Sequence, residues 1–253
     1  SLTPGSLSMQ SWDFSGLVAD SAGVDSILSV VGDTIAANNF PSADIKFDSG
    51  VLGDAYAEIN PSSVDIIGIA TSFFGSTFAI PLNNPIVRNF APVQYGITSN
   101  FGTSFAFVTD NPQLLTLINS AIGAVPLVDS ADSLRINFNA NYEYEVDAWG
   151  NLTVPTGTFE VLRINNNQFL DIGLEAWVNY SSPIIPSGWL DLSPFIGAFS
   201  PVPLGTDTIS NVIFQNDMVK EPICDLSTNL FDNSITSAKY TREIGTVSVE
   251  TLT

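Results

Sequence analysis

Glu143, Glu145 and Asp147 are the first residues in this chain whose type and spacing could do chemistry. In an extended strand, residues i and i+2 share a face about 7 Å apart, and paired carboxylates can hydrolyse a glycosidic bond. The solvated face of an exposed strand in any acidic protein shows the same pattern, so both readings stand. The sequence has no His, which removes Ser-His-Asp and Cys-His arrangements and the usual zinc sites. Oxygen ligands are abundant, so calcium is the ion this composition favours. Its candidate ligands are Asp129, Asp132 and Asn137. They lack the D-x-D-x-D-G type of loop signature, and a polar turn reads from the same residues. With no cofactor motif in the chain, no cofactor and no enzymatic activity are expected.

Large aromatic residues supply the other candidates. Trp149, Trp177 and Trp189 could stack on a sugar, and with Phe195 and Phe199 they are candidate contacts for a ligand or an interface. Asn151-Leu-Thr153 and Asn179-Tyr-Ser181 match the glycosylation sequon. The single cysteine, Cys224, rules out an intrachain disulfide and is expected as a buried thiol.

The elements that must carry these residues are strands. From Leu134 to Val146 every even position is apolar or aromatic, and from Arg135 to Asp147 every odd one is polar. That period of two predicts a strand with one face on a core and one in water. Turns are expected at Trp149-Gly150-Asn151, at Thr156-Gly157 and at Asn165-Asn166-Asn167, which would make four consecutive antiparallel strands ending in QFLDIGLEAWV. One short helix is predicted near 111–123, with Asp110 or Asn111 as cap, Pro112 early, and a stripe of Leu114, Leu115, Ile118 and Ile122. Residues 24–37 fit helix and strand equally. ITSNFGTSFAFVT reads as a strand pair, VDIIGIATSF and FGSTFAIPL as another, and EIGTVSVETL as a last strand. An N-terminal arm (about 1–23) is expected to dock by Trp12 and Phe14. A Pro-rich apolar loop (181–206) is expected to pack over a sheet face or edge, or to bind a ligand.

With 253 residues the chain can bury a full core without staples, and no interdomain linker interrupts it, so 1–253 reads as a single β domain. Its 26 acidic residues against 7 basic ones, a formal net charge of −19, exclude a nucleic-acid partner, which needs Lys and Arg clusters. Hydrophobic residues make up 45%, which excludes a disordered acidic tail. The charge-free run from Ile66 to Val87 is broken by Pro81, Pro85, Asn83 and Asn84, so no membrane insertion is expected. The longer stretch between Asp65 and Asp129, charged only at Arg88 and Asp110, is either core or a face covered by another subunit. No basic stretch followed by an apolar one opens the sequence, as expected if a signal peptide was removed or never present.

DAWGNLTVPTGTFEVLRI resembles a recurring segment of large secreted proteins of Bacteroidota, the type exported as cargo of the type IX secretion system. Gly150, Pro155, Gly157, Phe159, Leu162 and Arg163 carry the resemblance. Trp12-Asp13-Phe14-Ser15, Phe40-Pro41 and the run from Pro92 to Gly96 look similar to further segments of that group. The resemblance implies an extracellular or cell-surface location and an all-β fold, with no catalytic residues to carry over. The sorting domain usual in that group is not visible after Glu243. The expected architecture is an antiparallel β-sandwich or a strongly curved sheet. The expected role is a structural or binding module without catalytic activity. Two alternatives stand beside it: an extracellular filament subunit that self-associates through charge-poor faces and terminal arms, and a carbohydrate-binding domain.

Overall fold

The computed structural model describes residues 5, 7–22, 26–49, 53–73, 76–90, 92–123, 125–196, 205–216 and 222–241, with the side chains at 73, 76, 195 and 196 excepted. Its first half runs β1 (Gln10–Asp13), β2 (Ile27–Ser29), α1 (Thr34–Asn39), β3 (Ile45–Asp48), β4 (Asp54–Asn60), β5 (Ser63–Phe73), β6 (Ser76–Phe90) and β7 (Thr98–Thr109). The second half runs α2 (Pro112–Ile122), β8 (Val128–Val154), β9 (Gly157–Tyr180), β10 (Gly188–Asp191), α3 (Ser193–Ile196), β11 (Gly205–Gln215), β12 (Cys224–Thr228) and β13 (Ile235–Tyr240). The chain is all-β, in two sheets. One orders β2-β3-β4-β5-β6; the other orders β1-β8-β9-β11-β12-β13, with β7 also on β8 and β10 also on β9. The helix expected near 111–123 is α2: Asn111 accepts from the N–H groups of Gln113 and Leu114, and Pro112 opens the first turn. The ambiguous stretch 24–37 holds both β2 and the start of α1, which Asp33 caps.

The predicted four-strand meander is instead one hairpin. β8 has 27 residues and β9 has 24, paired from Val128 with Tyr180 to Val154 with Gly157, and only Pro155 and Thr156 turn the chain. Gly150 is not a turn residue. A Cβ there would lie 1.9 Å from the Gln10 carbonyl oxygen, so the glycine lets β1 approach the strand. Asn165–Asn167 stay extended because β8 and β11 supply ladder partners on both sides. ITSNFGTSFAFVT is likewise one strand, β7, held along β8 from Leu134 to Glu145. The Pro-rich loop contributes a short edge strand, β10, and α3, while EIGTVSVETL lies outside the described residues.

Where the hairpin's core lies depends on one bulged residue. Val146 pairs with Ile164, but Ala148 pairs with Arg163, leaving Asp147 unmatched. Opposed residues share a face and successive ones alternate. From Leu134 to Val146 the even-numbered residues of β8 therefore bury one face, and from Ala148 to Val154 they bury the opposite one. Before the bulge, Leu134, Phe138, Ala140 and Tyr144 are buried. That face is covered by α2, through Leu114, Ile118 and Ile122, and by the second sheet, through Ile69, Leu82 and Ile86. Within the charge-free run from Ile66 to Val87, Ile69, Ile80, Leu82 and Ile86 are buried, while Pro81, Asn83, Asn84 and Pro85 are exposed. After the bulge, Leu152 and Val154 join Val161, Phe214, Cys224 and Leu226 on the other face. There Trp12 reaches Phe214 at 5.0 Å between ring centroids, although flat strands three steps apart are roughly 14 Å apart. The sheet must curl to close that distance, and Trp12 and Phe14 seal the trough it forms. Arg163, 2% exposed, clamps the bulge with two hydrogen bonds to Asp147, at 2.8 and 2.6 Å.

Candidate functional site

The bulge leaves the first half of the hairpin with an uncovered face. Its register sets Ala106, Asn137 and Gly173 in one row across β7, β8 and β9, and Ser104, Asn139 and Asp171 in the next. Ala and Gly on either side of Asn137 make a hollow. The row before it is tall, because Arg135 and Glu175 stand there with Asp191 of β10 opposite Glu175. Together these form a cleft of about 750 Å³, lined by Ser104, Asn137, Asn139, Asp171, Glu175 and Asp191 over a floor of Ala106 and Gly173. Gly173 is open rather than strained: a Cβ there would meet only Asn137, at 3.7 Å.

Hydrogen bonds fix one wall. The Arg135 Nε donates to Glu175 Oε2 at 2.7 Å, and Asn137 Nδ2 donates to the same oxygen. The Arg135 guanidinium lies 4.1 Å from the centre of the Trp189 ring, and Trp177 meets Trp189 edge-on at 5.5 Å. The Arg135 hydrogen bond, against the opposing effect of burial, holds the Glu175 carboxyl below its ordinary value. A general acid for glycoside hydrolysis needs the opposite shift. Across the cleft, the side chains of Asn139 and Asp171 make no hydrogen bond to another described residue and face solvent. Ser193 donates its backbone N–H to Asp191 at 2.9 Å. One side of the cleft is thus hydrogen-bonded internally, and the other presents the Asn139 amide and the Asp171 carboxylate to solvent.

The sequence candidates divide. Trp177 and Trp189 come together one row beyond Glu175 and Asp191 and do not line the cleft, while Trp149, 39% exposed, lies beyond the bulge. Phe199 lies outside the described residues, as does the Phe195 side chain. The trio Asp129, Asp132 and Asn137 is not brought together. Asp132 accepts from Asn179 and Asn137 donates to Glu175, partners four residues apart on β9, roughly 13 Å along a strand. Among the described residues no group of three or more His, Cys, Asp or Glu is placed to hold a metal. Glu143 and Glu145 are exposed on the uncovered face, but Asp147 leaves their row because it is the bulged residue and pairs with Arg163. The sequon residue Asn179 is engaged with Asp132 and Ser187, and Asn151 sits in the ladder between β1 and β9. Cys224 is fully buried, and burial pushes its thiol up to about 12.

Asn139, Asp171 and Asp191 were not singled out by sequence, because their convergence depends on cross-strand register. The only local trace was the odd-position polarity of β8 and the Asp171 and Glu175 alternation in β9. Among the described residues no helix is long and apolar enough to cross a membrane. No family model, no curated protein and no solved structure matches the chain.

Proposed function

We propose that the protein is a secreted or cell-surface binding module without catalytic activity, and that its cleft takes a neutral carbohydrate. One observation carries this reading: amide and carboxylate side chains from β8, β9 and β10 converge on an open hollow, and its Glu175 is held by Arg135, which stacks on Trp189 outside the lining. Carboxylates and amides pair with vicinal hydroxyls, and strands hold them at fixed spacing. The net charge of −19 favours a neutral ligand over an anionic one. The depressed Glu175 carboxyl suits an acceptor rather than a proton donor. An extracellular location fits the acidic, Lys-poor composition and the resemblance around Gly150–Arg163.

The test is an array of neutral oligosaccharides followed by calorimetry on any hit. Wild type should bind with a dissociation constant in the micromolar to millimolar range, about −4 to −8 kcal/mol. Asp171→Ala should weaken binding about tenfold by removing a carboxylate that has no structural partner. Silence across the array, or full affinity in both Asp171→Ala and Trp189→Ala, would remove the reading.

A further inference from the structure

We infer that the N-terminal arm around β1 is an exchangeable strand, and that the groove holding it accepts the arm of a second copy of this chain. The inference is independent of the carbohydrate reading. β1 forms the one parallel pairing among the described strands, with Gln10–Asp13 against Gly150–Thr153. It occupies the edge of β8 left free where β7 ends, so the arm is seated by its pairing with the hairpin and not by β7. The groove is shaped for this segment. Gly150 admits the Gln10 backbone, Phe14 N–H donates to the Thr153 carbonyl at 2.7 Å, and Trp12 is buried against Phe214 beneath Arg163.

Immediately after the arm the chain is loosely held. Residues 15–22 are exposed except Leu17, with Val18 at 91%. Their hydrogen bonds stay local, from Ser15 N–H to Asp13, from Leu17 N–H to Phe14 and from Ser21 to Asp20. The next element, β2, belongs to the other sheet. The thirteen residues between β1 and β2 can span roughly 43–47 Å when extended, enough to carry the arm to a neighbouring hairpin. Every contact that seats the arm in its own chain is available, identical, in a second copy, which is the condition for strand exchange at little cost. A head-to-tail exchange of this kind does not close on itself by necessity and can propagate into a chain of subunits.

Two single variants of the 253-residue chain test this. Asp13→Cys and Thr153→Cys sit at directly paired positions, where neighbouring strands are about 4.8 Å apart and a disulfide can form. Mixed, refolded together over a range of concentrations and oxidised, they form covalent heterodimer above the level of chance collision when an arm sits in another copy's groove. The control pairs Asp13→Cys with Glu160→Cys, an exposed position on β9 outside the arm's register. The expected result is heterodimer that rises with concentration and exceeds the control several-fold, with native circular dichroism in each variant. Heterodimer equal to the control at every concentration overturns the inference. A Trp12→Ala change in the Asp13→Cys chain should reduce the heterodimer to the control level; undiminished heterodimer would equally overturn it.

Discussion

Removing the Asp147 carboxylate should be among the most damaging single changes in this chain. Arg163 is 2% exposed and the Asp147 side chain 12%, and they meet through two charge-assisted hydrogen bonds. Asp147→Ala removes the carboxylate that faces this buried guanidinium, which lies over the Trp12 ring. Breaking a buried pair from one side costs about 3–5 kcal/mol. For a chain of this size each kcal/mol moves Tm by about 2–4 °C, so a fall of roughly 6–20 °C is expected. Asp147→Ala combined with Arg163→Met removes both charges and should lose less than the sum of the two single changes, because no unpaired charge remains. Urea unfolding followed by tryptophan fluorescence gives each value, provided the slope with denaturant is unchanged. A loss below about 1 kcal/mol for Asp147→Ala, or strict additivity in the double variant, would refute the clamp at the bulge.

Asp33 sits at about 2 because Lys46 hydrogen-bonds to it, helped by the Ile35 and Ala36 N–H groups and opposed by burial. Its folded value lies below an unfolded one near 3.9, so it stabilises the fold above about pH 4, and that contribution fades as pH falls toward 2. Asp33→Asn keeps the cap of α1 but not the charge, so its Tm deficit should be constant at neutral pH and close on acidification. A deficit unchanged down to pH 2 would contradict the ion pair. Cys224, fully buried with its thiol pushed up to about 12, should react with a disulfide reagent at pH 8 only at the rate of unfolding; rapid labelling of native protein would show otherwise. Gly150→Val places a side chain where the Gln10 backbone lies and should release β1, red-shifting Trp12 emission while the β8–β9 hairpin persists. Unshifted emission would mean that the arm does not depend on the glycine.

Local patterns were legible where the chain satisfies itself locally. Asn111, Pro112 and the Leu114–Ile118–Ile122 stripe announced α2, and the alternation from Leu134 announced β8. Trp12 and Phe14 announced a docking arm, and their burial agrees with that. Turn residues misled, because Gly150 and Asn165–Asn167 serve neighbouring strands rather than reversals: one makes room for β1, and the others are laddered on both sides. The bulge at Asp147 was hidden inside an unbroken even-odd pattern, and only the pairing with Arg163 reveals that the buried face changes there. The cleft was hidden for the same reason. Arg135 and Glu175 are 40 residues apart, and Asp191 joins them from β10, so no window of sequence contains the site.

The steric variant Gly173→Leu tests most directly the proposed binding of a ligand in the hollow over Gly173. The new side chain fits the backbone, since its Cβ would make only ordinary contact with Asn137, yet it fills the cleft floor without removing any polar group. For an oligosaccharide that binds wild type, calorimetry should show affinity reduced by about tenfold or more, at least 1.4 kcal/mol, with Tm nearly unchanged. Wild-type affinity in a folded Gly173→Leu protein would place the ligand elsewhere and contradict the account.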